Sequence, residues 1–174
     1  ANLTDIRGNT ALHTALAAAQ PGAARLLLQN GASATGHFEN GDTLLHLVVR
    51  NPDFPADLIP LLVAAGADPC ALNKQAITPL HLAALHGNTN AVQRLIESGT
   101  PVNVTTPQTP GGLDRCPPGW TPLHFAAAAG DAEVVRLLLA RGASVNARGS
   151  RRETPLDAVR QPPKVIVHEG QWVR

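Results

Sequence analysis

The chain has 174 residues, of which 44% are hydrophobic and only 3% are aromatic, and its formal net charge is +1. Such a small net charge excludes a chain-wide electrostatic attraction to nucleic acid or to an acidic membrane surface. Two cysteines are too few for a disulfide framework, and no apolar run approaches the roughly 18 residues of a membrane-spanning helix.

One four-residue motif recurs along the chain at a nearly constant spacing. It reads Thr-Pro-Leu-His at 121–124 and again at 78–81, with looser copies at 10–13 and 43–46 and a broken fifth copy at 154–157. Successive threonines are 33, 35, 43 and 33 residues apart, and a glycine follows each of the first four at 21 or 23 residues. Two markers that recur in phase indicate a repeat protein.

Each copy of the motif predicts the same local structure. Threonine is a good helix N-cap, and proline is tolerated at the first helical position, where no N–H is needed. A second apolar run, clearest at Val134–Leu139, predicts a second helix that ends at a glycine. Each unit is therefore predicted to be a helix–turn–helix followed by an extended connection, and its apolar faces must stack on neighbouring units.

From about residue 5 to residue 160 the chain resembles the ankyrin-repeat family, on the Thr-Pro-Leu-His motif and its period of about 33 residues. The resemblance implies an all-α solenoid of helix–turn–helix units joined by β-hairpin-like connections. Four full repeats are expected at about 5–34, 38–69, 73–103 and 116–146, with a degenerate C-terminal repeat at 150–160. It also implies a protein-binding module without catalysis, cofactor or metal, which as a fragment is expected to be monomeric.

The first two repeats differ from the common pattern in their connections and turns. Residues 1–9 resemble such a connection, so further repeats or another domain are expected to precede them. In repeat one, Gln20–Gly22 is predicted to be the turn between the helices. In repeat two, Asn51–Pro55 enlarges this turn, and Phe54 either covers the end of the helix pair, which we favour, or contacts a partner.

About ten residues are inserted before Thr121, within Val104–Gly119. Four prolines and three glycines there predict a loop without regular structure, and a loop of this length is either functional or disordered. This finger loop, 104–118, is expected to protrude between repeats. The remaining residues, 161–174, are predicted to be a C-terminal extension that caps the array or begins a following domain.

Seven histidines raise the possibility of a metal site or a general base. His13, His46, His81 and His124 share one repeat position, and the resemblance implies that they are structural and hydrogen-bond across the connection between repeats. The other three have no cysteine, histidine or carboxylate partners at ligand spacing. The sequence also has no phosphate-cradling glycine motif and no nucleophile elbow.

The resemblance places partner contacts on a concave face made by the hairpin tips and the exposed side of the first helices. The residues at these positions are Arg7, Asn9, Glu39, Asn40, Asp42, Lys74, Gln75, Ile77, Leu85, His86, Trp120, Arg151 and Glu153. Trp120 is prominent because tryptophan is enriched in binding hot spots, although it could instead lie on Pro117 or Pro118 of its own loop. Ala76 and Arg152 replace an expected glycine, so their hairpins are predicted to be less tight.

Three functions remain open at this point. The first is a protein-binding scaffold that uses the concave face and the finger loop, with another protein and not nucleic acid as partner. The second is a regulatory or substrate-recruiting segment of a larger multidomain enzyme or signalling protein, and the third is a spacer without a specific partner. Cys70 and Cys116 are expected to be reduced thiols, which favours a cytoplasmic or nuclear protein.

Overall fold

The computed structural model describes residues 2–5, 8–38, 40–108 and 116–160. Nine α-helices occur in these ranges: α1 (Ala11–Ala17), α2 (Pro21–Gln29), α3 (Leu44–Arg50), α4 (Leu58–Ala64), α5 (Pro79–Leu85), α6 (Thr89–Glu97), α7 (Pro122–Ala129), α8 (Ala132–Ala140) and α9 (Pro155–Arg160). The same ranges contain no β-strand, only isolated antiparallel bridges between Thr4 and Thr10 and between His37 and Thr43. The predicted C-terminal extension, 161–174, lies outside the described residues.

The helices form two layers. The first helices α1, α3, α5, α7 and α9 pack on one another in chain order, and the second helices α2, α4, α6 and α8 do the same. Within a unit, α1 packs on α2, α3 on α4, α5 on α6 and α7 on α8. The predicted fold class, an all-α solenoid of helix–turn–helix units, is confirmed.

Small and aliphatic side chains fill the space between the layers. Ala83 and Ala126 are fully buried, and their size allows α5 and α7 to approach closely around Phe125. Phe54, in the enlarged turn of the second unit, is 6% exposed and belongs to the same core. It therefore covers the end of its helix pair, as favoured above.

One helix begins earlier than predicted. Pro21 was expected in the turn of the first unit, but it is the first residue of α2. Proline fits this position because its fixed φ is already helical and the first turn needs no hydrogen bond from its nitrogen.

A threonine and a histidine cap each of the helices α1, α3, α5 and α7. Every capping threonine has an extended backbone, and its hydroxyl lies 2.9 Å from Nδ1 of the histidine three residues later. The backbone N–H of the threonine donates to the same Nδ1 at 3.0–3.3 Å. This is a capping box in which histidine takes the place of the usual Glu or Gln, and the predicted N-caps are confirmed.

Three of these histidines also join one unit to the next. Their Nε2 atoms lie 3.0–3.2 Å from a backbone carbonyl oxygen of the following hairpin, in the pairs His46–Ile77, His81–Trp120 and His124–Glu153. Nδ1 must accept from an N–H and Nε2 must donate to a carbonyl, so the ring is neutral and carries its proton on Nε2. The structural role predicted for these three histidines is confirmed.

His13 departs from this pattern, which corrects the prediction for the first unit. It caps α1 in the usual way, yet its buried Nε2 has no hydrogen-bond partner among the described residues. Its ring instead meets the edge of Phe38, with 5.1 Å between ring centroids. The backbone of Gly36 passes so close that an added Cβ would lie 2.2 Å from the ring, so only glycine fits there.

The hairpins close with the same backbone bonds whether or not glycine is present. Ala76 and Arg152 adopt φ of 60° and 67°, in the left-handed region that Gly41 also occupies at 79°. Their N–H groups donate at 2.9 Å to the first residue of the hairpin, compared with 2.8 Å for Gly41. The prediction of less tight tips is therefore wrong, because the closing bonds offset a conformational cost of about 1–2 kcal/mol.

We predict that acid destabilises the protein between about pH 6.5 and pH 4. Burial lowers the pKa of His81 to about 4, and it also lowers the pKa of His13, His46 and His124. Histidine in the unfolded chain has a pKa of about 6.5, so in this window the unfolded state binds protons that the folded state excludes. The contribution of these neutral histidines to the free energy of unfolding is therefore complete above about pH 6.5 and is lost as the pH falls towards 4. His81 alone contributes about 3 kcal/mol.

Urea unfolding from pH 7.5 to pH 4.5 measures this loss, and an NMR titration of the imidazole resonances assigns it. His81→Gln removes the titrating group and is the matched comparison. In this variant the slope of the free energy of unfolding against pH should decrease by the equivalent of about one bound proton. A His81 ring that titrates near pH 6.5 in the folded protein would contradict the prediction.

Candidate partner-binding face

The hairpin tips and the ends of the first helices form one continuous row of equivalent positions. Counting from each capping threonine, the preceding residue is the last of a hairpin, and the seventh residue after it lies in the last turn of the first helix. The seventh positions are Ala17, Arg50, Leu85 and Ala128. We name the surface made by these tips and helix ends the hairpin face.

Five of the residues predicted to contact a partner are buried in the structure. They are Asp42, Gln75, Ile77, Leu85 and Trp120, which are 2%, 7%, 1%, 7% and 3% exposed. Asp42, Ile77 and Trp120 each precede a capping threonine, where the hairpin meets the first helix, whereas Gln75 lies within a hairpin and Leu85 ends α5. This corrects the expectation that these five side chains are exposed.

The other predicted contacts divide into three groups. Lys74 and Arg151 are exposed. Asn9, Asn40, His86 and Glu153 are partly buried. Arg7 and Glu39 lie outside the described residues, as does most of the finger loop.

A buried carboxylate organises the middle of the hairpin face. Oδ2 of Asp42 accepts from the Arg50 guanidinium at 2.5 Å and from Asn40 at 2.8 Å. Oδ1 accepts from the side-chain amide of Asn73 in the next hairpin at 2.8 Å. Because a buried charge is tolerated when it is paired and fully hydrogen-bonded, this network fixes Arg50 and ties two hairpins together.

Arg50 and His86 line a pocket of about 410 Å³ between the second and third units. Pro52, Asn88 and Asn90 contribute to its walls. Within the described part of the chain, Nε of Arg50 and Nε2 of His86 are buried atoms without a hydrogen-bond partner. Burial first, and the charge of Arg50 second, lower the pKa of His86, so at neutral pH the imidazole is uncharged. The pocket thus presents one cationic donor and one neutral ring nitrogen.

Arg50 was missing from the residues predicted from the sequence. It occupies the seventh position after Thr43, which is the position of Leu85 after Thr78. Counting from the threonine would have found it, but the enlarged turn that follows Arg50 obscured the equivalence.

Trp120 is part of the scaffold between the finger loop and the fifth hairpin. Its indole stacks on His124 at 5.3 Å between centroids and meets the edge of Phe125 at 5.6 Å. Its Nε1–H donates to Oε1 of Glu153 at 2.8 Å. A Cβ on Gly149 would come within 2.9 Å of the indole, so the glycine is needed for this close approach.

The base of the finger loop is closed like the hairpins. Thr106 donates its N–H to the Trp120 carbonyl at 2.9 Å and accepts from the Gly119 N–H at 2.8 Å. Its hydroxyl donates to the Pro117 carbonyl at 2.6 Å and accepts from the Trp120 N–H at 2.9 Å. Residues 106 and 117–120 therefore take the place of a hairpin, and the inserted residues 109–115 lie outside the described ranges.

The described residues form neither a metal cluster nor a membrane-spanning helix. They contain no group of three or more His, Cys, Asp or Glu side chains that could hold a metal ion. In the same ranges, no helix is both long enough and apolar enough to cross a membrane.

We predict that Trp120→Phe lowers the free energy of unfolding by about 1–3 kcal/mol. The substitution keeps an aromatic ring at this position but removes the Nε1–H donor, which leaves Oε1 of Glu153 without the hydrogen bond from the indole. Chemical denaturation measures the loss, with Glu153→Gln as control because an amide oxygen still accepts from the indole. Unchanged stability of Trp120→Phe would show that the indole is not part of the scaffold.

Two comparisons with known proteins agree with this architecture. Residues 45–149 match the family described as "Ankyrin repeats (3 copies)", and residues 7–35 match the family described as "Ankyrin repeat". A Mus musculus protein, "Ankyrin repeat and SOCS box protein 16", is 37% identical over 103 residues. The similar stretch covers 59% of this chain and 22% of that relative, so the chain spans about a fifth of the relative's length.

Ankyrin repeats are generally protein–protein interaction modules and are typically non-catalytic. The first family match alone covers more than half of the chain. It coincides with the helix pairs, the threonine caps and the closed hairpins described above. On these grounds the chain belongs to the ankyrin-repeat family.

Proposed function

We propose that this chain binds another protein through the hairpin face, with the pocket between Arg50 and His86 at the centre of the contact. The observation that carries the proposal is the pair of buried nitrogens, on Arg50 and His86, without a partner among the described residues. Buried polar groups are almost always hydrogen-bonded in a native complex, and Nε of Arg50 can only donate, so the pocket fits an acceptor supplied by a partner.

An acidic side chain on an extended segment is the partner group that fits best. Arg50 can only donate, and a carboxylate accepts from it more strongly than a neutral group does. Lys74 is exposed on the neighbouring tip, where it adds positive charge along the approach. The expected partner segment therefore places an Asp or Glu in the pocket.

The finger loop is proposed to extend this contact. The support is its base, where Thr106 bonds to Pro117 and Trp120 and so continues the row of closed hairpins. Deleting 105–116 would remove Thr106 and so confuse loss of binding with loss of structure. Replacement of residues 109–115 by a Gly/Ser sequence of equal length avoids this.

The test compares charge changes on two surfaces of the intact chain. His86→Glu with Lys74→Glu should weaken partner capture at least tenfold, because both substitutions repel an acidic segment. The control is the pair Arg136→Glu and Arg94→Glu, on exposed sides of second helices, and it should leave capture unchanged. Equal loss in both double variants, or in neither, would argue against the hairpin face, and the Gly/Ser variant reports separately on the finger loop.

We propose as a second candidate that the repeats recruit a partner to a larger protein. The support is that the mouse relative carries the similar stretch in 22% of its length. The size of the native protein, measured by immunoblot from its source with an antibody against these repeats, decides this. A band near the 18.2 kDa of this chain would reject the second candidate.

A further inference from the structure

An apolar groove of about 530 Å³ lies at the C-terminal end of the described stack. Helices α7, α8 and α9 form it, together with the connection at Val145. Leu139 and Val145 are 40% and 59% exposed, and Leu156 and Val159 of α9 are 69% and 54% exposed. Four large aliphatic side chains exposed side by side are unusual on a protein surface and indicate a surface that another segment covers.

The inner units show what covers the equivalent positions. Leu156 corresponds to Leu123 and Leu80, which are 2% and 0% exposed, and Val159 corresponds to Ala126, which is 0% exposed. In those units the first helix is packed by its own second helix, as α5 is by α6 and α7 by α8, and by the first helix of the next unit, as α5 is by α7 and α7 by α9. Within the described residues, α9 has no second segment packed on it in this way.

The repeat period identifies a segment of this chain for that place. The capping threonines 121 and 154 are 33 residues apart, and α8 begins at Ala132. Adding 33 to 132 gives 165, so Val165-Ile166-Val167 corresponds to the start of α8, Ala132–Val134. Val134 is fully buried in the fourth unit. The aliphatic triplet 165–167 therefore has the same repeat position as the start of α8, which is the second helix of the fourth unit.

We propose that Val165, Ile166 and Val167 bind in the apolar groove and close the C-terminal end of the stack. Four residues separate them from Arg160, the end of α9, and five steps of chain reach roughly 16 Å, enough to return to a groove that Val159 itself lines. Aliphatic side chains match the groove because its walls are Leu, Val, Ala and Pro, with Asp131 and Arg136 at the margin.

Site-specific crosslinking in the full chain tests the placement. Leu139→Cys combined with Val167→Cys, in a Cys70→Ser background, should form an intramolecular disulfide under mild oxidation. The control pair is Leu26→Cys with Val167→Cys, because Leu26 is even more exposed than Leu139, 62% against 40%, but lies on α2 at the other end of the stack. Peptide mapping by mass spectrometry should show at least tenfold more crosslink in the first pair. Equal yields in the two pairs would overturn the proposal.

A second measurement does not depend on crosslinking. Replacing Val165, Ile166 and Val167 together by serine should uncover the groove, raise the fluorescence of a hydrophobic dye several-fold and lower the melting temperature by several degrees. Lys164→Ser is the control and should change neither. If a second copy of the chain covers the groove instead, the wild type will sediment as a dimer and the disulfide will join two chains, which also overturns the proposal.

Discussion

The stack depends on a neutral imidazole between successive units. Nδ1 of the histidine closes the cap of its own helix, and Nε2–H reaches a carbonyl of the next hairpin at 3.0–3.2 Å. Protonation would give Nδ1 a hydrogen that points at the threonine N–H, so one proton opposes both the cap and the junction. Burial keeps the ring neutral, and at His81, in the middle of the stack, it lowers the pKa to about 4.

This arrangement uses the backbone, and not the side chain, of the residue before each capping threonine. The accepting carbonyls belong to Ile77, Trp120 and Glu153, three side chains with nothing in common chemically. Among Ile77, Trp120 and Glu153 the side chain therefore varies without loss of the junction, whereas the Nε2 of His13 has no partner among the described residues of the hairpin that ends at Asp42. Ile77 places a buried aliphatic side chain at this position, and Trp120 stacks its indole on His124. Asp42, at the same position, forms an ion pair with Arg50. One position thus packs the core in one unit and holds Arg50 of the proposed binding pocket in another.

Local features were predictable from the sequence, and contacts between units were not. The caps, the helix pairs and the core position of Phe54 follow from spacing and residue type within one unit. The burial of Trp120 depends on Glu153 and Gly149, which belong to the next hairpin and have no fixed place in the motif. The failure of His13 to reach a carbonyl depends likewise on Gly36 and Phe38, beyond its own unit. The burial of Asp42 required knowing that Asn73 and Arg50 converge on it.

The same convergence supports the role in recognition that is proposed for Arg50. A long flexible side chain loses about 0.5–1.5 kcal/mol of conformational freedom when a partner immobilises it. Asp42 already holds the guanidinium at 2.5 Å, and the side chain is 25% exposed, so this loss occurs on folding and not on binding. Its charge is balanced by Asp42 while Nε remains available to the pocket. A partner carboxylate would therefore meet a donor that is already oriented, and selectivity for it would come from geometry more than from net charge, which is +1 for the whole chain.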